Sequence, residues 1–407
     1  MARTVATLPA GPRITDYISL GVITKVFPAD RIRSVLAATG RSSIRERDLP
    51  AQVVVYYVIA LALYMQSSYR EVLRCLLEGV QWLLDPSVPA RIASNAGISK
   101  ARTRLGWEPM KQLHDEVVKP IASRASKGAW YGGLRLVSLD GSTLDVADEQ
   151  VNDAAFGRPG ASRGSSSFPQ IRFVSLVENG THVLFGSQMA DYATSEISLA
   201  KAVIQTSLAS GMLCLADRNF FGFNLWSHAR GTGADLLWRI KGNSRLECEK
   251  RLPDGSYLSH TYPSDKDRRH KTNGVELRVI NYRLEGVEGA EPLYRLVTTL
   301  LDHTQAPATE LAALYHERWE IETALDELKT HLRGAKIVLR SKTPDLVRQE
   351  FYGLMMAHFA IRDLMHQAAL KADEDPDRLS FIHAVRVIRR KLAAFSALPP
   401  SEEEMLP

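Results

Sequence analysis

Cysteine is nearly absent: Cys75, Cys214 and Cys248 are the three in a chain of 407 residues. They are too scattered for a disulfide framework, and no C-x-x-C pair exists. A reducing, cytosolic setting is the expectation. The start, MARTVATLPAGPR, lacks an apolar h-region, so no signal peptide is read. The most apolar run is the thirteen residues Val53–Met65, which include Tyr56, Tyr57 and Tyr64. Crossing a bilayer takes ~20 residues, so this run reads as a buried helix of a soluble protein with no membrane partner. No G-x-x-x-x-G-K-S/T run cradles a nucleotide phosphate, so ATP use is not expected. The eleven histidines show no zinc spacing, and there is no internal repeat or long low-complexity tract.

Hydrophobic residues make up 45% and charged residues 24%. These ordinary globular values exclude a mostly disordered chain, a collagen and a coiled-coil rod. The length allows two to four domains at roughly 100–200 residues each. A net charge of +5 is a mild bias towards anionic partners.

The first ~125 residues read as helices. Pro50 opens one over Val53–Met65. Ser68 and Glu71 fit a capping box, in which the serine accepts from the backbone and the glutamate reaches back. Ser99 can cap and Gly106 can end a short basic helix. Composition then changes. Leu134–Leu139 is a short apolar strand ending at Asp140. Ile171–Val177 and His182–Gln188 flank Glu178-Asn179-Gly180, a hairpin signal. A helix over Glu196–Ser210 precedes a second apolar strand, Met212–Ala216, ending at Asp217. A short helix over Asn224–Arg230 and a strand over Asp235–Lys241 follow. Residues 243–302 read as mostly β, with turns at Pro253-Asp254-Gly255 and Asn273-Gly274. Pro307 starts a long helix through about Arg333, and helices are expected over Asp345–Ala372 and Leu379–Phe395. This order predicts a mixed α/β core with an insertion. The two aspartates sit where buried strands end, the place where a sheet presents side chains to a cleft.

On the long helix, advancing about 100° per residue from Tyr315 places Arg318, Glu322 and Lys329 with it in a stripe about 60° wide. Leu314, Ile321, Leu325, Leu328 and Leu332 form the neighbouring apolar face. A carboxylate at the edge of a core, flanked by Arg and Lys, suits a metal site. A surface helix with spaced ion pairs explains the periodicity equally well.

The pattern Tyr315-x-x-Arg318-x-x-x-Glu322-x-x-x-x-x-x-Lys329 resembles the Y-(2)-R-(3)-E-(6)-K motif of the DDE transposases of bacterial insertion sequences, of the insertion-sequence-four type. VSLDGSTLDV around Asp140, LADRNFF around Asp217, and the early stretches SSYREVLRCL and GISKARTRLG also look like that family. The resemblance spans nearly the whole chain. It implies an α/β fold: an N-terminal helical DNA-binding domain over 1–125, an RNase H-like core over 126–241 and 303–372, a β-rich insertion over 242–302 and a helical tail over 373–407. It implies a catalytic, metal-binding triad of Asp140, Asp217 and Glu322 with two Mg²⁺ ions, Mn²⁺ being possible. It implies cleavage of double-stranded DNA at the element's terminal inverted repeats and joining to target DNA, with a hairpin intermediate in some relatives. A homodimer on DNA and a cytoplasmic, nucleoid-associated location follow from that role.

The residue types suit the chemistry. In-line displacement at a phosphodiester needs an activated nucleophile and a stabilised leaving oxygen, which two divalent ions about 3.5–4 Å apart supply. Hard cations prefer carboxylate oxygens. Tyr315, Arg318 and Lys329 would then contact phosphates beside the scissile bond. Lys329, Arg333, Lys336, Arg340 and Lys342 lie in a stretch with no acid, and their five charges equal the excess of the whole chain. Lys100, Arg102 and Arg104 could set a short basic helix in a DNA groove. A solvated basic face is the alternative in each case.

Other residues weigh less. Asp145 would lie on the opposite face of the strand from Asp140 and reads as structural. Asp302 reads as a turn or cap residue. Asp326, beside the stripe, is the rival for the third metal ligand. Gly160–Gly164 matches G-x-S-x-G but lacks the strand and helix that a nucleophile elbow requires. With Arg158 and Arg163 it reads better as a DNA-contacting loop. Trp238 reads as core. Two other functions fit part of the pattern: a catalytically inactive, transposase-derived DNA-binding regulator, and an RNase H-fold nuclease on generic nucleic acid.

Overall fold

The computed structural model describes residues 18–43, 49–84, 93–161, 164–165, 168–284, 291–316, 320–334 and 337–390. In chain order six helices come first: α1 (Ile18–Val26), α2 (Ala29–Ala38), α3 (Ala51–Leu63), α4 (Tyr69–Leu84), α5 (Asn95–Leu105) and α6 (Glu108–Val117). The α/β part opens with β1 (Trp130–Tyr131), β2 (Leu134–Asp145), α7 (Gln150–Phe156), β3 (Gly160–Ala161), β4 (Gly164–Ser165), β5 (Gln170–Glu178) and β6 (Val183–Asp191). It continues with α8 (Glu196–Ser207), β7 (Met212–Ala216), α9 (Phe223–Arg230) and β8 (Asp235–Arg239). Then come β9 (Lys250–Arg251), β10 (Tyr257–Thr261), α10 (Asp265–His270), β11 (Val275–Tyr282) and β12 (Tyr294–Thr298). The described residues close with α11 (Ala308–His316), α12 (Glu320–Asp326), a π-helical turn (Glu327–Leu332), α13 (Pro344–Ala372) and α14 (Phe381–Arg390).

The chain divides into two compact units. One holds residues 1–114, 348–361 and 380–407; the other holds 115–347 and 362–379. The boundary expected at 125 therefore falls near His114, and the middle of α13 belongs with the N-terminal helices.

In the first unit α3 is the buried centre, with Val54 through Leu63 all inaccessible. Its apolar surface is continuous around the axis, as a helix enclosed by others requires. Gly353 lets α13 approach: a Cβ there would fall 2.7 Å from the Val58 carbonyl oxygen. Ser68 accepts from the Glu71 amide at 3.2 Å, as the capping pattern predicts, while the Glu71 carboxylate holds Arg74. Helix α5 starts a turn earlier than expected. Ser94, not Ser99, caps it through the Gly97 amide at 3.1 Å, and Gly106 ends it with φ +72°, a conformation open to glycine.

In the second unit the strands form one sheet in the order β6-β5-β2-β7-β8-β12-β11-β10-β9, with β1 beside β2. Strands β6, β5 and β2 are antiparallel, whereas β2, β7 and β8 run parallel. The insertion strands β12 to β9 prolong this same sheet through the antiparallel β8–β12 pair. Alternation then decides what each face carries. Leu136, Leu213, Leu215, Leu237 and Leu296 present one face to Leu311, Leu314 and Tyr315 of α11. Cys214 and Trp238 face the other way, where Trp226 of α9 packs edge-on against Trp238 with ring centroids 5.3 Å apart. Trp238 is fully buried, in keeping with its reading as core.

Strand β2 is longer than expected. It runs through Asp140 to Asp145 because β5 continues to pair with it; only its parallel partner β7 stops at Ala216. Gly141 allows this. A Cβ there would lie 3.2 Å from both the Glu196 carboxyl carbon and a Val174 methyl, so a side chain after Asp140 would need these neighbours to give by a few tenths of an ångström.

Candidate active site

The register of the central strands places two of the expected acids at corresponding positions. Leu139 pairs with Ala216 as the last rung between β2 and β7, and Asp140 and Asp217 are the residues that follow. Side-chain alternation carries the Leu136 row of β2 into Asp140, on the face that α11 covers; Asp217 lies just past the end of β7. Asp140 also accepts from the Gly141 amide at 2.8 Å, which fixes its position on the strand.

Helix α12 packs against β2 and carries Glu322, which is exposed. Among the described residues, Asp140, Asp217 and Glu322 do not form a group with ligand oxygens all within 4.8 Å of one another. A two-ion site does not require that. Ions about 4 Å apart, each ~2 Å from its ligands, leave the outer oxygens up to about 8 Å apart. The donor set is all hard oxygen, which fits Mg²⁺ or Mn²⁺.

The other residues of the helical motif take different places. Tyr315, expected at DNA phosphates, is only 5% exposed, and its hydroxyl donates to the Ala216 carbonyl at 3.3 Å. It ties α11 to the strand end that delivers Asp217. Arg318 lies outside the described residues, as does Lys336. Lys329 donates from Nζ to Ser142 Oγ at 2.9 Å. Ser142 is two residues beyond Asp140 and on the same face, so the ammonium sits one step along the strand from the carboxylate. Burial, and next the charge of Arg333, hold the Lys329 pKa below its ordinary value. Arg333 is 6% exposed and donates from Nε to the Lys329 carbonyl at 3.3 Å. Burial lowers its pKa also. It backs Lys329 and does not project into solvent.

Past Asp326 the regular helix expected through about Arg333 gives way to a π-helical turn. The Arg333 amide donates to the Leu328 carbonyl, five residues back, at 3.2 Å. The extra residue per turn rotates Lys329 and Arg333 towards β2. Such turns are common at functional sites.

In the N-terminal unit the basic helix is only partly free for DNA. Lys100 and Arg104 are exposed, but Arg102 is 2% exposed. Arg102 donates from Nε to Gln349 Oε1 at 3.2 Å, and Gln349 donates back to the Arg102 carbonyl at 2.7 Å. A groove contact from Arg102 is corrected to a packing role, because its apolar neighbours at three- and four-residue spacing lie on the buried side of α5.

The minor residues largely keep their places. Asp145 accepts from Gln170 Nε2 at 2.7 Å. Asp302 caps a turn, accepting from the Thr304 amide at 2.8 Å. Asp326 faces His331 at 3.1 Å. Arg158 is held by Asp148 and by Asp153, so its charge is matched by local acids. Arg163 lies outside the described residues.

One cation of the site escapes the motif. Trp238 pairs with Ala216 as the last rung between β7 and β8, and Arg239 follows it, near enough for the Asp217 charge to act on it. Its guanidinium lies 4.7 Å from the Tyr294 ring centroid and 2.6 Å from Glu291. Glu291 also reaches Arg218 at 3.0 Å. Burial lowers the Arg239 pKa, but Glu291 outweighs it, and Tyr315 and Asp217 add smaller upward effects. The signal for Arg239 was in the sequence, one residue past an apolar strand parallel to β7, but it needed the strand order to be read.

The mixed sheet, with β2, β7 and β8 parallel and β5 and β6 antiparallel beside them, is that of an RNase H-like core; Asp140 lies on β2, Asp217 follows β7, and Glu322 lies on α12, which packs against β2. The model of the family described as "Transposase DDE domain" matches residues 131–360, and that described as "Insertion element 4 transposase N-terminal" matches residues 17–115. The chain belongs to the DDE transposases of the insertion-element-4 type. It is 27% identical over 91% of its length to transposase InsG for insertion sequence element IS4 of Escherichia coli, covering 82% of that protein. It is also similar to the putative transposase InsZ of Escherichia coli, 23% identical over 54% of this chain and 71% of that one. The family cleaves and transfers DNA with divalent metal. Among the described residues, no helix is long and apolar enough to cross a membrane.

Proposed function

We propose that Asp140, Asp217 and Glu322 are the catalytic carboxylates and hold two Mg²⁺ ions, with Mn²⁺ able to replace them. The position of Asp140 and Asp217 directly after Leu139 and Ala216, the last pair between β2 and β7, supports this reading. Asp140, Asp217 and Glu322 would hold the ions through their carboxylate oxygens, and divalent ions bound there would supply activation of the attacking oxygen and stabilisation of the leaving one. Water attacks phosphorus at the element end, forming a P–O bond as the P–O3′ bond breaks. The freed 3′-hydroxyl then attacks a target phosphodiester in the same way. Lys329 and Arg239 flank the acids and orient the scissile strand through its phosphates, with Arg318 of the motif in the same role. Exposed Lys100 and Arg104 support binding of the N-terminal helices to double-stranded terminal repeats.

Synapsis of two ends makes a homodimer the expected DNA-bound form, and the substrate places the protein in the cytoplasm at the nucleoid. The test is Mg²⁺-dependent nicking of DNA carrying the element's terminal repeats, with Asp140→Ala beside the parent chain and scrambled ends beside native ones. Nicking confined to native ends and lost in Asp140→Ala is expected. Equal activity in both proteins removes the assignment, and equal cleavage of scrambled DNA points to a generic nuclease.

A further inference from the structure

The helix that carries Glu322 is clamped on its other side by a buried charge network that the chemistry does not use. Glu327, the first residue of the π-helical turn, is 5% exposed. It accepts from Arg362 Nε at 2.8 Å and also from Arg362 Nη2. Arg362 belongs to α13 and its side chain is 1% exposed. His182, at the β5–β6 turn, lies 3.5 Å from Glu327 through Nδ1 and 3.0 Å from Asp377 through Nε2. Two turns earlier, at the start of α12, Glu320 accepts from the Gly180 amide at 2.6 Å. Glu320 and Glu327 are seven residues apart and share one face, while Glu322 is about 200° from Glu320 and points away from them.

A network of this kind is a poor source of stability. Removing two charges from water costs several kcal/mol per ion, and well-packed apolar replacements are often as stable or more so. What charges add is a fixed setting: a carboxylate buried opposite a guanidinium has one satisfactory geometry, whereas leucine has many. The network also sits at the junction where α12 becomes π-helical, the point at which a rotation would carry Lys329 off Ser142 and Glu322 off β2.

We infer that Glu327, Arg362 and His182 are positioning residues that lock the rotation of the catalytic helix, so that Glu322 and Lys329 meet the Asp140 face of β2. This rests on the proposed role of Glu322. The lock acts on geometry at the acids and leaves DNA affinity to other surfaces.

The experiment replaces the pair with apolar residues, Glu327→Leu with Arg362→Met, and compares melting temperature, DNA affinity, cleavage rate and divalent-ion dependence with the parent. The double variant should melt at or above the parent temperature and bind end DNA equally. Its cleavage rate should fall about 10²-fold, the scale of a 1 Å misplacement, with more Mg²⁺ needed for half-maximal rate. A merely structural role predicts that activity follows stability, so a stable double variant with parental cleavage overturns the lock. Should the double variant fail to fold, Glu327→Gln, which keeps shape and one hydrogen bond, decides by the same readouts: a lowered rate and raised Mg²⁺ requirement support the lock, and parental values overturn it. Asp140→Ala runs alongside; its retaining full activity would remove the site assignment itself, a different failure from loss of the lock.

Discussion

The Tyr315 hydroxyl donates to the carbonyl of Ala216, the last residue of β7 and the one before Asp217. The tyrosine of the motif is therefore bound to the sheet. Its ring belongs to the apolar cluster under α11, and its polar end holds the strand terminus from which an expected metal ligand projects.

Tyr315→Phe keeps the ring and removes that bond. A stability loss of about 1 kcal/mol is expected, read as a lowered denaturation midpoint, with a drop in cleavage rate. The salt dependence of DNA binding should not change. A direct phosphate contact would instead flatten the log–log salt slope by about 1, and that result would return Tyr315 to the DNA.

Much of this site is legible in the amino-acid sequence. Asp140 and Asp217 stand at the ends of apolar runs, and the long helix places Glu322 beside a buried face. Three things are not legible, each for a physical reason. Tyr315 and Arg333 are amphipathic, and helical spacing cannot tell a residue on the shoulder of a core from one inside it. The π-helical turn has no marker in single-residue propensities, so angles drawn for a regular helix drift beyond Asp326. Arg239 joins the site through the β7–β8 pairing, a non-local fact. The insertion strands are visible as alternating runs, but their continuity with the core sheet depends on β8 pairing with β12, which local pattern does not encode.

The same contrast separates the cations of α5. Arg102→Ala should destabilise the protein by removing the Nε donor to Gln349 Oε1 and weakening the satisfaction of that buried amide oxygen, without altering the salt slope of DNA binding. Lys100→Ala and Arg104→Ala, at exposed positions, should leave the melting temperature in place and flatten the slope by about 1 for each phosphate that the removed cation had neutralised. Titrations at several salt concentrations check both. An unchanged slope in Lys100→Ala and Arg104→Ala would remove α5 from the interface.

Glu291 bridges Arg218 and Arg239 as a phosphate could, and Arg239, the leading cause, holds its carboxyl below the usual range. Glu291→Gln should tighten DNA binding several-fold at low salt, because it exposes two guanidiniums to the strand. The gain should vanish as ionic strength rises and the Debye length shrinks to about 3 Å near 1 M. Anisotropy titrations at two salt concentrations measure it; identical affinity at low salt would mean that these arginines do not meet DNA.

His182 supplies a pH signature. Burial is the largest influence and pushes its pKa down, but the hydrogen bonds to Asp377 and Glu327 and the Glu327 charge together outweigh it. Arg362 opposes them, and the result is a rise from the ordinary 6.5 to about 9. Asp377 feels the reciprocal effect: burial, its largest influence, raises its pKa, but His182 more than offsets this, so its carboxyl is held low. Charged groups facing the ring are Asp377, Glu327, Glu320 and Arg362. Because the folded pKa of His182 exceeds the unfolded one, its contribution is complete below pH 6.5 and is lost as pH rises through about 9. The shift corresponds to something on the order of 3 kcal/mol. Asp377 gives the opposite limb, since its contribution disappears as pH falls through the carboxylate range. Denaturant midpoints of the parent and His182→Gln, measured from pH 5 to 10, should therefore differ most between pH 5 and 6.5, draw together as pH rises through about 9, and converge at alkaline pH. A gap that stays constant up to pH 10 would show that the ring is not protonated in the folded protein.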